Sequence, residues 1–153
     1  MIKIICVSKI KEKFYVDAIN EYKKRLSKYT KLEIIETPDY NFDEEKTKLE
    51  EGKNILSKIK DTDFVVTLEI NGNMLSSNEL SEFINKNITK NIVFVIGGSL
   101  GLSEEVLKRS NYSLSFSKLT FPHQLFRIIL LEQIYRSFKI INNESYHKWL
   151  VNF

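Results

Sequence analysis

The sequence is short of nearly everything that marks a secreted, fibrous or membrane chain. Cysteine occurs once, at Cys6. A lone thiol closes no internal disulfide, which suits a reducing compartment, and inside an apolar stretch it reads as a small buried hydrophobe. Proline occurs twice and glycine five times among 153 residues, which excludes collagen-like and Pro-rich disordered chains. No apolar run approaches the ~20 residues that a membrane span requires. The opening Met1-Ile2-Lys3-Ile4-Ile5-Cys6-Val7 sets apolar residues ahead of the basic ones. A secretion signal has the reverse order, so the expectation is a cytoplasmic chain that opens with a β-strand. The only two histidines, His123 and His147, stand far apart, and with one cysteine there is no zinc-ligand spacing. No metal is expected.

What is present suits a packed core. Hydrophobic residues make up 42% of the chain and charged ones 28%, too apolar for global disorder. The length fits one domain over 1–153. The net charge of +3 is unevenly spread. Residues 1–31 carry nine Lys/Arg against three acids, residues 32–60 five against eight, and residues 106–153 seven against two. If the two basic ends meet in the fold they form an electropositive face suited to a polyanion. Lys23, Lys24 and Arg25 are the candidates for tracking phosphates.

Two periodicities alternate along the chain. Residues 1–8, 32–37, 63–70 and 92–97 are short apolar runs rich in Ile and Val, and 112–116 is a weaker fifth. Near-continuous apolar runs are the signature of strands buried on both faces. Between them, Tyr15, Ala18, Ile19, Tyr22, Leu26 and Tyr29 fall three and four apart, a helical stripe. Residues 43–60 predict a polar helix with Leu49, Ile55, Leu56 and Ile59 inward. Ser76 with Glu79 predicts a capping box for a third helix carrying Leu80, Phe83, Ile84 and Ile88, and a short fourth starts near Ser103. From Leu125 to Ile141, eleven of seventeen positions are apolar, more than one stripe holds. Such a helix must be covered nearly all round, which a small five-stranded sheet cannot do alone, so a homodimer with this helix in its interface is expected, the alternative being a central core helix in a monomer. Five strands alternating with five helices predict a parallel α/β sheet flanked by helices, with ligands at the carboxyl ends of its strands.

Three loops lie at such ends. Gly97-Gly98-Ser99-Leu100-Gly101 holds three of the five glycines, but it lacks the spacing of a dinucleotide fingerprint and the Lys-Ser/Thr of a P-loop. A tight turn and a ligand site account for it equally. Asn71-Gly72-Asn73 predicts a turn. Phe116 to His123 mixes apolar residues with hydroxyls and leads through Pro122 into the long helix.

Thr67–Asn73 (TLEINGN), Phe94–Leu102 (FVIGGSLGL), 113–140 (SLSFSKLTFPHQLFRIILLEQIYRSFKI) and Tyr146-His147-Lys148 together resemble the RlmH family of SPOUT methyltransferases. The segment KIKEKFYVDAINEYKKRL and the run Glu36-Thr37-Pro38-Asp39 are similar to that family too, so the resemblance spans nearly the whole chain. It implies an α/β SPOUT methyltransferase fold with a deep C-terminal trefoil knot, which sequence patterning alone would have excluded. It implies an enzyme that uses S-adenosylmethionine to methylate N3 of a pseudouridine in 23S ribosomal RNA, acting on the assembled ribosome as a homodimer. The contacts it carries over for the cofactor are Leu68, Gly97, Gly98 and the loop Phe116, Ser117, Lys118, Leu119, Thr120 and Phe121. The family usually ends at or just after the Tyr-His pair, whereas here 149–153 follow.

Pseudouridine N3 carries a proton between two carbonyls, so its methylation calls for charge-stabilising donors and a base. The candidates are Arg136, His147 and Tyr146, the last also able to stack on a base. His123 and Arg127 are candidate RNA contacts. Glu132, four residues before Arg136, is expected to pair with it. A non-catalytic RNA-binding or ribosome-assembly factor on the same fold, and a flavodoxin-like nucleotide-binding module, are the alternatives.

Overall fold

The computed structural model describes residues 1–148; the tail 149–153 lies outside the described residues. Ten elements alternate strictly. The strands are β1 (Ile2–Val7), β2 (Leu32–Thr37), β3 (Phe64–Met74), β4 (Ile92–Ile96) and β5 (Tyr112–Ser115). The helices are α1 (Lys13–Leu26), α2 (Glu44–Ser57), α3 (Ser77–Lys86), α4 (Glu104–Arg109) and α5 (His123–Ile141). The sheet order is β2-β1-β4-β3-β5 and every pairing is parallel, as the apolar runs predict.

The alternation of side chains along each strand divides the core in two. Ile2, Ile4 and Cys6 of β1, with Ile92, Phe94 and Ile96 of β4, face α1, α3 and α5. Ile5, Val7, Val93 and Val95 face α2 and α4, where Ile55 and Val106 meet them. All six residues of β1 and all five of β4 are buried. The helix starts are fixed locally. Asp43 caps α2, Ser103 caps α4, and Ser76 and Glu79 form the reciprocal box at α3.

Some sequence expectations fail in detail. Leu49 is 40% exposed, so of the four expected inward residues Ile55, Leu56 and Ile59 pack on the core without it, and Ile88 lies beyond α3, also 40% exposed. The Asn-Gly-Asn stretch is no hairpin turn: β3 runs on to Met74, with an irregularity between Leu68 and Asn73. The long helix begins at His123, two residues earlier than its apolar run. It packs between α1 and α3 over the sheet. Leu130, Leu131 and Ile134 are fully buried there, while Leu125, Ile128, Ile129, Ile140 and Ile141 stay half-buried.

Burial pushes the Cys6 thiol from 9.0 up to about 12, outweighing the nearby Arg127 charge. The thiolate is the reactive form, so native protein at pH 8 should leave a thiol reagent unreacted and denatured protein should consume one equivalent. The folded chain holds this proton more tightly than the unfolded chain. That contribution to stability is complete below pH 9 and is lost as pH rises toward 12.

Candidate functional site

The carboxyl ends of β3, β4 and β5 enclose a cavity of about 750 Å³, within the usual range for small-molecule sites. Leu68, Gly97, Gly98, Phe116, Ser117, Leu119, Thr120 and Phe121 all line it. Lys118 is exposed and does not. Three separated stretches of sequence therefore form one hollow, because parallel strands deliver their loops to one edge.

Each wall has a local cause. After β4 the chain turns back on itself, with the Gly101 N–H donating to the Gly98 carbonyl at 3.1 Å. Gly101 has φ +88, a conformation that glycine adopts without strain. A Cβ on Gly97 would lie 2.9 Å from Leu102 Cδ2. The buried Ser103 cap then starts α4. On the β5 side, the Ser115 hydroxyl donates to the Ile70 carbonyl at 2.9 Å, and the Leu119 N–H donates to the Ser117 hydroxyl at 2.9 Å. Phe126 of α5 packs against Phe116, with ring centroids 5.1 Å apart, and against Phe121. These rings supply an apolar wall beside backbone polar groups, a setting for a flat heterocycle.

His123 lines the same cavity. Its Nε2 is buried and, among the described residues, without a hydrogen-bond partner. Burial, and after it the charge of Arg127, lower its pKa. Arg127 itself is not at a surface. It is 1% exposed, its Nη1 donates to Glu36 Oε2 at 2.6 Å, and its Nη2 donates to the Ser8 carbonyl at 3.1 Å. This corrects its place among the RNA contacts: its donors face inward and hold α5 to the ends of β1 and β2.

Arg136, Tyr146 and His147 do come together, at the other end of α5. Arg136 donates from Nη2 to Glu132 Oε1 at 2.8 Å, the expected pair. Tyr146 donates to the same oxygen at 2.8 Å. His147 Nδ1 is 3.1 Å from Arg136 Nη1, and the guanidinium lies 4.6 Å from the centre of the Tyr146 ring. Burial and the Glu132 hydrogen bond push the Tyr146 phenol up to about 12. The hydrogen bond to Glu132 raises Arg136 as well. Lys23, Lys24 and Arg25 are exposed on the last turn of α1, and Arg25 reaches to 5.7 Å from the Tyr135 ring of α5. The ten residues from Phe126 to Arg136 span ~15 Å of helix. Within one chain, the cavity and this basic, aromatic cluster lie at opposite ends of α5.

Two carboxylates carry no sequence signal of their own. Glu69 lines the cavity. Glu51 of α2 is 4% exposed, and its Oε1 is unpaired and 3.0 Å from where a Gly98 Cβ would sit. The one hint for Glu51 is an acid beside Gly52, which packs closely on the side chain of Ser103. Among the described residues no group of His, Cys, Asp and Glu is placed to hold a metal, and no helix is long and apolar enough to cross a membrane.

A parallel α/β sheet with a glycine-lined cavity at its carboxyl edge belongs to the class of folds that bind small molecules there, and similarity to known proteins narrows the class. Residues 1–147 match the family described as "Predicted SPOUT methyltransferase". Two curated relatives from Clostridium botulinum, strains Alaska E43 / Type E3 and Eklund 17B / Type B, are each 57% identical. In each case the match covers 96% of this chain and 99% of the relative. Both are called ribosomal RNA large subunit methyltransferase H. A solved structure, that of a probable methylase family protein from Haemophilus influenzae Rd KW20, superposes with a TM-score of 0.58 at 14% identity. It covers 97% of this chain and 70% of that one, a likeness of fold alone. The chain is a methyltransferase of the SPOUT family. Within that family it belongs with the RlmH proteins, which sets aside the unrelated flavodoxin-like module.

Proposed function

We propose that this chain is a cytoplasmic enzyme, one domain over 1–153, that takes a methyl group from S-adenosylmethionine. The acceptor is N3 of a pseudouridine in 23S ribosomal RNA of the assembled large subunit. The observation that carries this reading is the convergence of Leu68, the Gly97–Gly98 turn and the Phe116–Phe121 loop on one cavity. The residues present suit such a donor. Phe116, Phe121 and Phe126 offer apolar faces to an adenine, Ser117 and Thr120 offer hydroxyls, and Glu69 offers a carboxylate to a cationic ligand. When bound, the donor supplies an activated methyl group, so no metal or covalent enzyme intermediate is needed. The chain's task is alignment and charge. The trefoil knot implied by the family belongs to this same reading.

The acceptor nitrogen must lose a proton before it attacks, and charge then spreads to the flanking carbonyls. Arg136 is suited to meet that charge, being held by Glu132 from one side and stacked on Tyr146 from the other. His147, in contact with Arg136, is the candidate for the base. These groups sit ~15 Å along α5 from the cavity wall, so one chain alone does not bring them to its own cavity. A homodimer in which the half-buried apolar side of α5 meets a second copy would set the Arg136 cluster of one subunit against the cavity of the other. Lys23, Lys24 and Arg25 lie beside that cluster, where the phosphates of the target RNA would pass.

Two measurements test the reading together. Calorimetry should show S-adenosylmethionine binding to the purified protein; no heat at millimolar ligand favours the non-catalytic assembly factor. Mass spectrometry of 23S RNA from cells lacking the protein should show one methyl missing from one pseudouridine. An unchanged nucleotide profile removes the proposed substrate.

A further inference from the structure

Among the described residues the cavity carries a single full charge. Of the twenty described residues that line it, Glu69 is the only one charged at neutral pH, since burial and the neighbouring Arg127 hold His123 toward its neutral form. Glu69 is half-buried, a lone carboxylate in a wall whose other polar members are hydroxyls, backbone groups and His123, so its charge is partly desolvated. The structure shows how it is held. Between Leu68 and Asn73 the β3–β5 register shifts: both residues pair with Leu114, so residues 69–72 drop out of the ladder. A bulge of this kind re-aims side chains, and here it turns Glu69 and Ile70 onto the cavity. The fully buried Thr67 donates its hydroxyl to Glu69 Oε2 at 2.7 Å, and Thr67 is in turn 2.8 Å from the hydroxyl of Ser110. Among the described residues no lysine, arginine or histidine forms an ion pair with Glu69. Its negative charge is positioned, but it is not neutralised by the protein.

We infer that Glu69 makes this cavity a charge reader: it favours the cationic sulfonium form of the ligand and lets go of the neutral thioether left after methyl transfer. The inference rests on the proposed reading of the cavity as the methyl-donor site. S-adenosylmethionine and S-adenosylhomocysteine share the adenosine and the amino-acid zwitterion; they differ by one methyl group and one positive charge. Shape and hydrogen bonding separate them poorly, whereas a fixed carboxylate separates them through Coulomb attraction. For a partly screened pair several ångströms apart, that attraction is worth roughly five- to tenfold in affinity. The same carboxylate then withdraws its hold when the methyl leaves, so one residue both recruits the donor and eases product release.

The test is calorimetry of both ligands on the full chain, wild type against Glu69→Gln and Glu69→Asp, with a thermal melt of each variant. Wild type should bind the sulfonium more tightly than the thioether. Glu69→Gln should weaken the sulfonium by roughly five- to tenfold and change the thioether by less than about twofold, collapsing the preference. Glu69→Asp should keep the preference even if both affinities fall. Equal weakening of both ligands in Glu69→Gln makes Glu69 a wall and overturns the inference, as does a preference that survives neutralisation. Should Glu69→Gln not fold, Glu69→Asp beside wild type decides: a lost preference with the charge kept overturns it. If neither ligand binds wild type, the donor-site reading itself has failed, an outcome distinct from an unchanged ratio.

Discussion

Gly97→Val should weaken S-adenosylmethionine binding by roughly tenfold or more while keeping the fold, since about 1–3 kcal/mol of overpacking must be relieved into the space the ligand would fill. The first added carbon would lie 2.9 Å from Leu102 Cδ2 and 3.1 Å from the Gly101 carbonyl carbon. Neither neighbour yields easily. Leu102 is packed into the core between the sheet and α2 and α4, and the Gly101 carbon belongs to the backbone of the turn that Gly98 and Gly101 close between them. Valine brings two further carbons, so the turn must open into the cavity that it lines. Overpacking of this kind costs about 1–3 kcal/mol of stability, which a melt will register without global unfolding. Calorimetry then measures the loss of binding directly. Affinity within about threefold of wild type would mean that the glycine turn serves chain reversal only, and the donor-site assignment of Leu68, Gly97 and the Phe116–Phe121 loop would lose its centre.

What the sequence makes legible depends on whether the cause is local. β1 and β4 announce themselves because strands buried on both faces are apolar at nearly every position, Lys3 of β1 being the exception whose ammonium donates to the Lys58 carbonyl, and both strands are buried throughout. The α3 start is legible because a capping box involves only Ser76 and Glu79. The bulge in β3 is not, because Asn-Gly-Asn encodes a bend equally well as a turn or as an irregular strand. The choice is made by β5, some forty residues on, through Asn73 donating to the Ser113 carbonyl at 3.0 Å. The site splits along the same line. The three cavity-lining stretches stand out through their glycines, aromatics and family motifs. Glu69 stands inside one of those motifs without distinction, because a lone carboxylate acquires meaning only when its nineteen fellow lining residues carry no opposing charge. The apolar excess of α5 states its demand for cover but not the identity of the cover, much of which α1, α3 and the sheet provide within the chain.

Arg127 marks the limit of that legibility and carries the largest expected change in stability. On sequence it is one more basic residue on a helix facing a polyanion. In the fold, its partner Glu36 is 91 positions away, a relation no local pattern expresses. Glu36 Oε2 also accepts from the Ile10 N–H at 2.9 Å, and the Ser8 carbonyl that Arg127 caps belongs to a residue with φ 82. A non-glycine residue in that region is strained, so the guanidinium helps hold an awkward turn after β1 as well as the first turns of α5. Arg127→Met retains much of the side-chain volume but takes the guanidinium from that carbonyl and leaves Glu36 with the Ile10 N–H alone. Breaking such a pair from the buried side costs about 3–5 kcal/mol, tempered here because Glu36 is 35% exposed and regains some water. The expected loss is therefore about 3 kcal/mol in urea unfolding at fixed protein concentration, or about 6–12 °C in Tm. Glu36→Gln should cost less, and the double variant should fall short of the sum by about 1 kcal/mol or more, the signature of a direct contact. A surface arginine that served only RNA would move stability by less than about 0.5 kcal/mol. That result, with weakened RNA binding in its place, would return Arg127 to the nucleic-acid face and remove it from the frame that positions His123 and Phe126 at the cavity.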